Sequence, residues 1–352
     1  VKIHEKYIKR CIELAKNGLG TTYPNPLVGS VIVHDGKIIG EGWHQKSGEA
    51  HAEVHAINSV KDKNLLKNAT IYVSLEPCSH FGKTPPCCDL ILAHDIPNIV
   101  IGIQDPFAKV DGNGIKKLRE AGKNVIVGVL ENECRELNKR FFTFHEKKRP
   151  YIILKWAESA DFFLSPESKD QQKPVWITNQ YSRQLVHKWR TEEQAILLGT
   201  TTVLDDNPSL TARDWLGKNP VRIVLDKSLK TLQQSIISDG KAPTIVLTES
   251  QNYPTTSGIT FKNVIFDSSL IDQITSILYE LNIQSLIVEG GQKTLQSFID
   301  TYLWDEARVF RGTNFFYSGT ASPNLKAKAI QTQKILDDQL LIFDNHDKHD
   351  NI

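Results

Sequence analysis

His51, Glu53, Cys78 and Cys87 are residues of this 352-residue chain whose types and spacing could do chemistry. His51-Ala52-Glu53 stands at the start of an expected helix. Pro77-Cys78 follows an expected strand, 27 positions after His51, and Cys87 comes nine positions later at the start of the next expected helix. One imidazole and two thiolates make a donor set for Zn²⁺, and three protein ligands leave the fourth position open for water, as a catalytic site requires. A thiolate at a helix N-terminus is favoured by the unpaired N–H groups there. Glu53, two residues past His51, is placed to reach a water on the metal rather than the metal itself. That is the position of a general acid/base in hydrolytic deamination. Taken singly, these residues have plainer readings. A His-x-Glu is usually a surface pair, and buried cysteines are often small apolar side chains. A structural zinc site would need a fourth ligand, for which Cys88 is available, but adjacent cysteines rarely both reach one tetrahedral ion. The combined pattern favours catalytic zinc.

The elements around these residues read as two α/β segments. From the N-terminus, helical spacing covers 4–17, strands at 28–33 and 37–42 meet around the hairpin signal Asp35-Gly36, and a helix covers 51–60. A strand at 69–74, a helix at 87–94, a strand at 99–103, a helix at 114–121, a strand at 125–127 and one long helix at 131–147 complete the first segment. Strands separated by helices imply a mostly parallel sheet covered on both faces. Arg149-Pro150 then punctuates the chain. Strands follow at 151–156, 195–198, 221–225, 244–247, 264–266, 285–289 and 307–310, with helices at 180–191, 271–281 and 292–299. The expected division is a first domain over 1–147, a second over 148–344 and a polar, frayed tail over 345–352.

Composition narrows the class. The chain carries 42 Lys+Arg against 41 Asp+Glu, a net charge of +1, so nothing marks a nucleic-acid or anionic-membrane surface. Five cysteines in a chain of this length are no disulfide framework. No apolar run approaches the roughly 20 residues that span a bilayer, and the start is no signal peptide, so a cytoplasmic protein is expected. No nucleic-acid or membrane partner is expected, and self-association is left open.

Pro24-Asn25-Pro26-Leu27-Val28-Gly29, Gly40-Glu41-Gly42-Trp43-His44, His51-Ala52-Glu53-Val54 and the long-gapped Pro77-Cys78-Ser79-His80-Phe81-Gly82-Lys83-Thr84-Pro85-Pro86-Cys87 together resemble the RibD family of bifunctional riboflavin-biosynthesis deaminase–reductases. The resemblance continues through Arg149-Pro150-Tyr151-Ile152-Ile153-Leu154-Lys155-Trp156-Ala157, Trp176-Ile177-Thr178, His187-Lys188-Trp189-Arg190 and the run from Thr202 to Arg213. It implies a cytidine-deaminase-like three-layer α/β/α domain followed by a dihydrofolate-reductase-like α/β domain. It further implies one Zn²⁺ per chain and NADPH as cofactors, with a pyrimidine ribotide as the small-molecule substrate. By the resemblance, His51, Cys78 and Cys87 hold the metal and Glu53 moves the proton. Asn25, His44, His80 and Lys83 line the pyrimidine and its phosphate, for which an amide and cationic groups are suited.

In the second domain the resemblance assigns NADPH contacts to Ala157, Trp176, Thr202, Asp206, Gly291, Gln292, Lys293, Thr294, Leu295, Gln296 and Ser297. No Gly-x-Gly-x-x-Gly occurs; the strand–Gly290-Gly291–helix run stands in its place, offering close backbone approach and helix N–H groups to a pyrophosphate. Leu210, Arg213 and Glu289 fall on the ribose-phosphate side of the reductase substrate, and Lys155 is placed to stabilise charge or relay a proton. One departure stands out: the family's Ser-Leu-Asp-Gly reads Ser159-Ala160-Asp161-Phe162 here. A side chain then occupies a position expected to need positive φ or close approach. The alternatives are a deaminase with an impaired reductase, a zinc deaminase acting on another nucleotide, a polynucleotide deaminase or zinc-bearing nucleic-acid-binding module, which the near-neutral charge and the long gap between the cysteines oppose, and a purely structural zinc protein.

Overall fold

Short β-branched and apolar runs separated by amphipathic segments form strands and covering helices in both halves of the chain. The computed structural model describes residues 2–81, 85–107, 112–168, 175–232 and 236–345. The chain divides into Val1–Lys148 and Arg149–Ile352.

The first unit runs α1 (Lys2–Ala15), β1 (Gly29–His34), β2 (Lys37–Trp43), α2 (Ala52–Ser59), β3 (Thr70–Leu75), α3 (Cys87–Ala93), β4 (Asn98–Ile103), α4 (Asn113–Glu120), β5 (Asn124–Val127), α5 (Glu131–Leu137) and α6 (Lys139–Lys147). Its sheet has the order β2-β1-β3-β4-β5. β1 is antiparallel to both β2 and β3, whereas β3, β4 and β5 are parallel. The sheet is therefore mixed rather than mostly parallel, because the Asp35-Gly36 hairpin lays β1 back along β2. Alternate side chains divide between two cores. Ile71 and Val73 pack with Ala56, Ile57, Ile91 and Leu118 of α2, α3 and α4, while Tyr72 faces Tyr7, Ile8, Cys11 and Phe142 of α1 and α6. That arrangement is the expected three-layer α/β/α.

A second expectation also fails in this unit. The single helix over 131–147 is broken at Asn138, which has φ −106°. The side chain explains the break: its amide oxygen accepts from Leu27 N–H and its NH₂ group donates to Leu27 C=O, both at 2.8 Å and buried. Asparagine competes with helical pairing when it has such a partner.

The second unit contains β6 (Tyr151–Glu158), β7 (Phe163–Pro166), α7 (Gln180–Glu192), β8 (Ala195–Gly199), α8 (Thr200–Asp206), β9 (Val221–Leu225), β10 (Thr244–Thr248), β11 (Ile259–Asn263), α9 (Leu270–Glu280), β12 (Ser285–Gly290), α10 (Gln292–Asp300), β13 (Glu306–Arg311), β14 (Gly319–Ala321), β15 (Gln331–Ile335) and β16 (Asp338–Asp344). The main sheet has the order β11-β10-β9-β8-β12-β6-β13-β16-β15, with β7 and β14 forming a separate ribbon. Pairing is parallel from β11 through β13 and antiparallel beyond.

The strand expected at 264–266 lies instead at β11, where pairing of Ile259 with Thr244 sets the register. Ile265 is exposed. The hairpin β15–β16 went unanticipated because Gln331-Thr332-Gln333-Lys334 has no apolar alternation. The tail expected to fray from 345 begins with a tethered residue: Asn345 N–H donates to Asp305 C=O and its amide to Tyr302 and Trp304 carbonyls. Residues 346–352 lie outside the described residues. No helix among the described residues is long and apolar enough to cross a membrane.

Asn138→Ala would leave the buried Leu27 N–H and C=O without partners, at a cost of about 3 kcal/mol. Urea unfolding of the full chain should show that loss in the transition of the first unit. An unchanged midpoint would mean that water replaces the amide without penalty.

Candidate functional site

Three elements deliver the metal-donor atoms of the first unit. α2 lies directly on β2 because Gly40 and Gly42 lack side chains: a Cβ at either position would meet Ala56 backbone atoms at 2.5 Å. This close packing seats the start of α2, where His51 is the extended residue before the helix and Glu53 lies in its first turn. Cys78 follows the carboxyl end of β3, and Cys87 is the first residue of α3. The donor atoms of His51, Cys78 and Cys87 all lie within 4.8 Å of one another. His51 Nδ1 is 3.6 Å from Cys78 Sγ and 3.3 Å from Cys87 Sγ. Donors on a tetrahedral zinc ion would stand roughly 3.5–3.8 Å apart, given bond lengths near 2.0–2.3 Å. The donor set fits.

Electrostatics at the cluster follow from its crowding. The Cys87 thiol, the His51 ring and the Cys87 N–H, 3.3 Å away, all favour negative charge on Cys78 Sγ, which holds that thiol well below its usual range. Cys87 is pushed up by the Cys78 sulfur and by burial. Glu53 is 3% exposed, and burial pushes its carboxyl up to about 7. A dication at the three donors would draw that value back down. Cys88 points the other way. Its thiol donates to the carbonyls of Pro77 at 3.3 Å and Gly114 at 3.7 Å, fully buried in the core beneath α3. It is therefore unable to serve as a fourth ligand without unpacking that core.

Of the other residues expected here, Asn25 and His44 meet. His44 Nδ1 faces the Ala50 carbonyl at 3.1 Å and so carries the proton, leaving Nε2 to accept from the Asn25 amide, also at 3.1 Å. Burial pulls the His44 pKa down, keeping the ring neutral. Its ring stands edge-on to His51 with centroids 5.3 Å apart. His80 is exposed two residues beyond Cys78. Lys83 lies outside the described residues. The sequence reading missed Glu76, a buried carboxylate two residues before Cys78 that accepts four backbone N–H groups. A Glu preceding Pro-Cys is the signal that could have drawn attention to it.

The second unit holds a cavity of about 1840 Å³ at the carboxyl ends of β6, β8, β9 and β12. It is lined by Lys155, Ala157, Trp176, Thr202, Asp206, Leu210, Arg213, Glu289, Gly291, Gln292, Lys293, Thr294, Leu295 and Ser297, all of them expected from sequence. Gln296 is the exception: its amide donates to Asp300 Oδ1 and accepts from Asn324 N–H. Gly290 has φ +130°, and a Cβ on Gly291 would meet Thr202 Oγ1 at 2.9 Å, so the glycine pair passes close against the start of α8. α8, which carries Thr202 and Asp206, was itself not anticipated as a helix.

Glu289 is held at the cavity wall by two cations. Arg190 grips it through two hydrogen bonds of 2.8 and 3.1 Å, and Lys155 Nζ stands 3.8 Å away. Against a large burial penalty, Arg190 and then Lys155 bring the Glu289 carboxyl down to about 2. Burial pulls Lys155 down in turn, with Glu289 opposing. The sequence marks Arg190 only as part of the His187-Lys188-Trp189-Arg190 motif. Its helical partner one turn earlier, His187, lines the same cavity and pairs with Asp214 at 3.2 Å.

The departure at Phe162 resolves into a turn. Phe162 adopts φ +67°, the left-handed conformation for which glycine is the usual residue. Its N–H donates to Ser159 C=O, and Asp161 accepts from Phe316 and Tyr317 N–H groups. The ring lies under the Arg311 guanidinium at 4.6 Å and is not among the residues lining the cavity. Left-handed strain on the order of 1 kcal/mol is met by a cation–π contact of roughly similar size.

Comparison with known proteins agrees in both halves. Residues 1–103 match the cytidine and deoxycytidylate deaminase zinc-binding region, and residues 150–316 match the RibD C-terminal domain. The chain is 41% identical over 335 residues to the riboflavin biosynthesis protein RibD of Aquifex aeolicus, spanning 94% of this chain and 92% of that protein. It is likewise 41% identical over 332 residues to the RibD of Bacillus amyloliquefaciens, spanning 92% and 88%. Its structure superposes on that of a diaminohydroxyphosphoribosylaminopyrimidine deaminase/5-amino-6-(5-phosphoribosylamino)uracil reductase from Thermotoga maritima with a TM-score of 0.88 at 39% identity, covering 97% of this chain and 99% of that one.

Cys88→Ala should retain one zinc per chain by atomic absorption, whereas Cys78→Ser and Cys87→Ser should lose most of it. Equal zinc in all three proteins would contradict the three-donor set.

Proposed function

We propose that this chain, which belongs to the RibD family of riboflavin-biosynthesis proteins, deaminates diaminohydroxyphosphoribosylaminopyrimidine in its first unit and reduces 5-amino-6-(5-phosphoribosylamino)uracil with NADPH in its second. The observation that carries the reading is the convergence of His51 Nδ1, Cys78 Sγ and Cys87 Sγ beside the buried Glu53.

In the deaminase unit, His51, Cys78 and Cys87 hold the metal. Zinc, when bound, supplies a polarised water that loses a proton near neutral pH. Glu53 takes that proton and returns it to the amine nitrogen that leaves the ring as ammonia. Its burial keeps bulk water from competing for the proton. The Asn25 amide, fixed by neutral His44, reads the pyrimidine edge, and His80 and Lys83 attend the phosphate.

In the reductase unit, Gly290-Gly291, Thr202 and the start of α10 offer close backbone approach and N–H groups to the dinucleotide pyrophosphate. NADPH, when bound, would supply a hydride to the ribosyl C1, and the ring oxygen would take up a proton as the ribityl chain opens. Trp176 and Ala157 line the cavity where they would hold the cofactor. Arg213 meets the substrate phosphate with Leu210 beside it, while the pair Lys155–Glu289 keeps an ammonium next to the reacting sugar, where charge develops on the ring oxygen as it opens. The turn at Phe162 supports an intact reductase, since its side chain lies outside the cavity lining.

Mass spectrometry of the products from the pyrimidine ribotide and NADPH tests both halves at once. The expected product has lost the ring amine and gained two hydrogens; unchanged substrate from zinc-loaded protein would sink this substrate. Glu53→Gln should slow deamination by at least ~10²-fold while still reducing substrate that is already deaminated. Phe162→Gly should leave reductase kcat/KM within about twofold. A larger fall would show that the turn depends on the phenylalanine.

A further inference from the structure

We infer that Glu76 is a positioning residue for the metal centre, fixing the Glu76-Pro77-Cys78 segment so that the Cys78 sulfur stays in ligand geometry. The inference rests on the reading of His51, Cys78 and Cys87 as zinc ligands. Glu76 lies just past the carboxyl end of β3, 4% exposed. Its Oε1 accepts from Gly114 N–H at 2.8 Å and Ile115 N–H at 3.2 Å, and its Oε2 accepts from Gly112 N–H at 3.0 Å and Asp105 N–H at 3.2 Å. Those donors come from the segment after β4 and from the start of α4, where the preceding residue Gly112 offers no side-chain cap. The carboxylate therefore caps α4 from another strand and ties the metal-bearing segment to it.

The neighbouring contacts restrain the same few atoms. Glu76 N–H donates to Ile103 C=O at 3.0 Å, and Cys88 N–H donates to Cys78 C=O at 3.1 Å. A Cβ on Gly114 would stand 2.2 Å from Pro77 O, so α4 touches the peptide that leads into Cys78. The Cys88 thiol bonds both the Pro77 and the Gly114 carbonyls. Glu76 thus accepts from both the segment after β4 and the α4 turn while standing two residues from a ligand. Outer partners of this kind fix the orientation of metal ligands. A carboxylate offers acceptor sites on both oxygens, so all four N–H groups are satisfied. A glutamine amide would turn an NH₂ group against two of them.

The test measures how fast zinc leaves the full-length holoenzyme into excess chelator, beside deaminase kinetics. Glu76→Gln should release zinc at least tenfold faster than the natural chain. Its deaminase kcat should fall at least tenfold with KM within threefold, and its reductase activity should be unchanged. Leu118→Ala supplies the control, because Leu118 is buried on α4 and its loss weakens the helix without touching the carboxylate. At matched loss of urea stability, Leu118→Ala should hold zinc like the natural chain. Zinc release that rises equally in both variants, or in neither, would overturn the inference and leave Glu76 a structural cap. Should Glu76→Gln fail to fold, Glu76→Asp, which keeps the charge but shortens the reach, is expected to release zinc at least threefold faster; release at the natural rate overturns the inference. A natural chain that holds no zinc would instead bring down the reading of the ligand cluster itself.

Discussion

Parallel pairing of β3 with β4 in the first unit, and of β9, β8, β12 and β6 in the second, brings each set of strands to its carboxyl ends along one edge of its sheet. Segments leaving such an edge meet the starts of the following helices, where N–H groups are unpaired. Cys78 and Glu76 leave β3 at that edge. Lys155 to Ala157 lie near the carboxyl end of β6, and the segments Gly199 to Thr202 and Glu289 to Thr294 run out of β8 and β12 into the following helices around the second cavity. The chemistry of each unit is concentrated where strand ends and helix starts converge.

Placing carboxylates at such edges means burying charge, which is unfavourable unless it is compensated. The two units compensate differently. Glu76 is surrounded by backbone N–H groups and needs no cation, so it can sit near a metal cluster without adding a competing positive charge. Glu289 is instead gripped by Arg190 and approached by Lys155. Two cations against one carboxylate leave net positive charge in that wall. Such a wall suits a phosphate-bearing ligand and keeps an ammonium in the cavity.

Phe162 illustrates how a motif can change while the backbone it specifies persists. Glycine at that position is favoured by the left-handed conformation, yet the turn is also held by Ser159, by Asp161 and by the Arg311 guanidinium over the ring. Several modest contacts outweigh a strain on the order of 1 kcal/mol.

Much of this was legible in the amino-acid sequence. Period-2 and helical spacing located most strands and helices, since burying one face of an element imposes that pattern directly. The His-x-Glu…Pro-Cys…Cys spacing marked the metal donors, because so few residue types can hold zinc. The sequence could not reveal the break at Asn138, the hairpin β15–β16 or the strand at 259–263, each of which depends on a partner distant in the chain: Leu27, Glu306 to Arg311 through β16, and Thr244. Nor could it show that Cys88 turns into the core, that Arg190 closes on Glu289, or that four amides converge on Glu76. Spacing records which face a residue occupies relative to its neighbours in sequence. Which atoms fill that face is decided only when remote segments pack, because hydrogen bonds and ion pairs depend on ångström-scale distances between groups that local periodicity leaves undetermined.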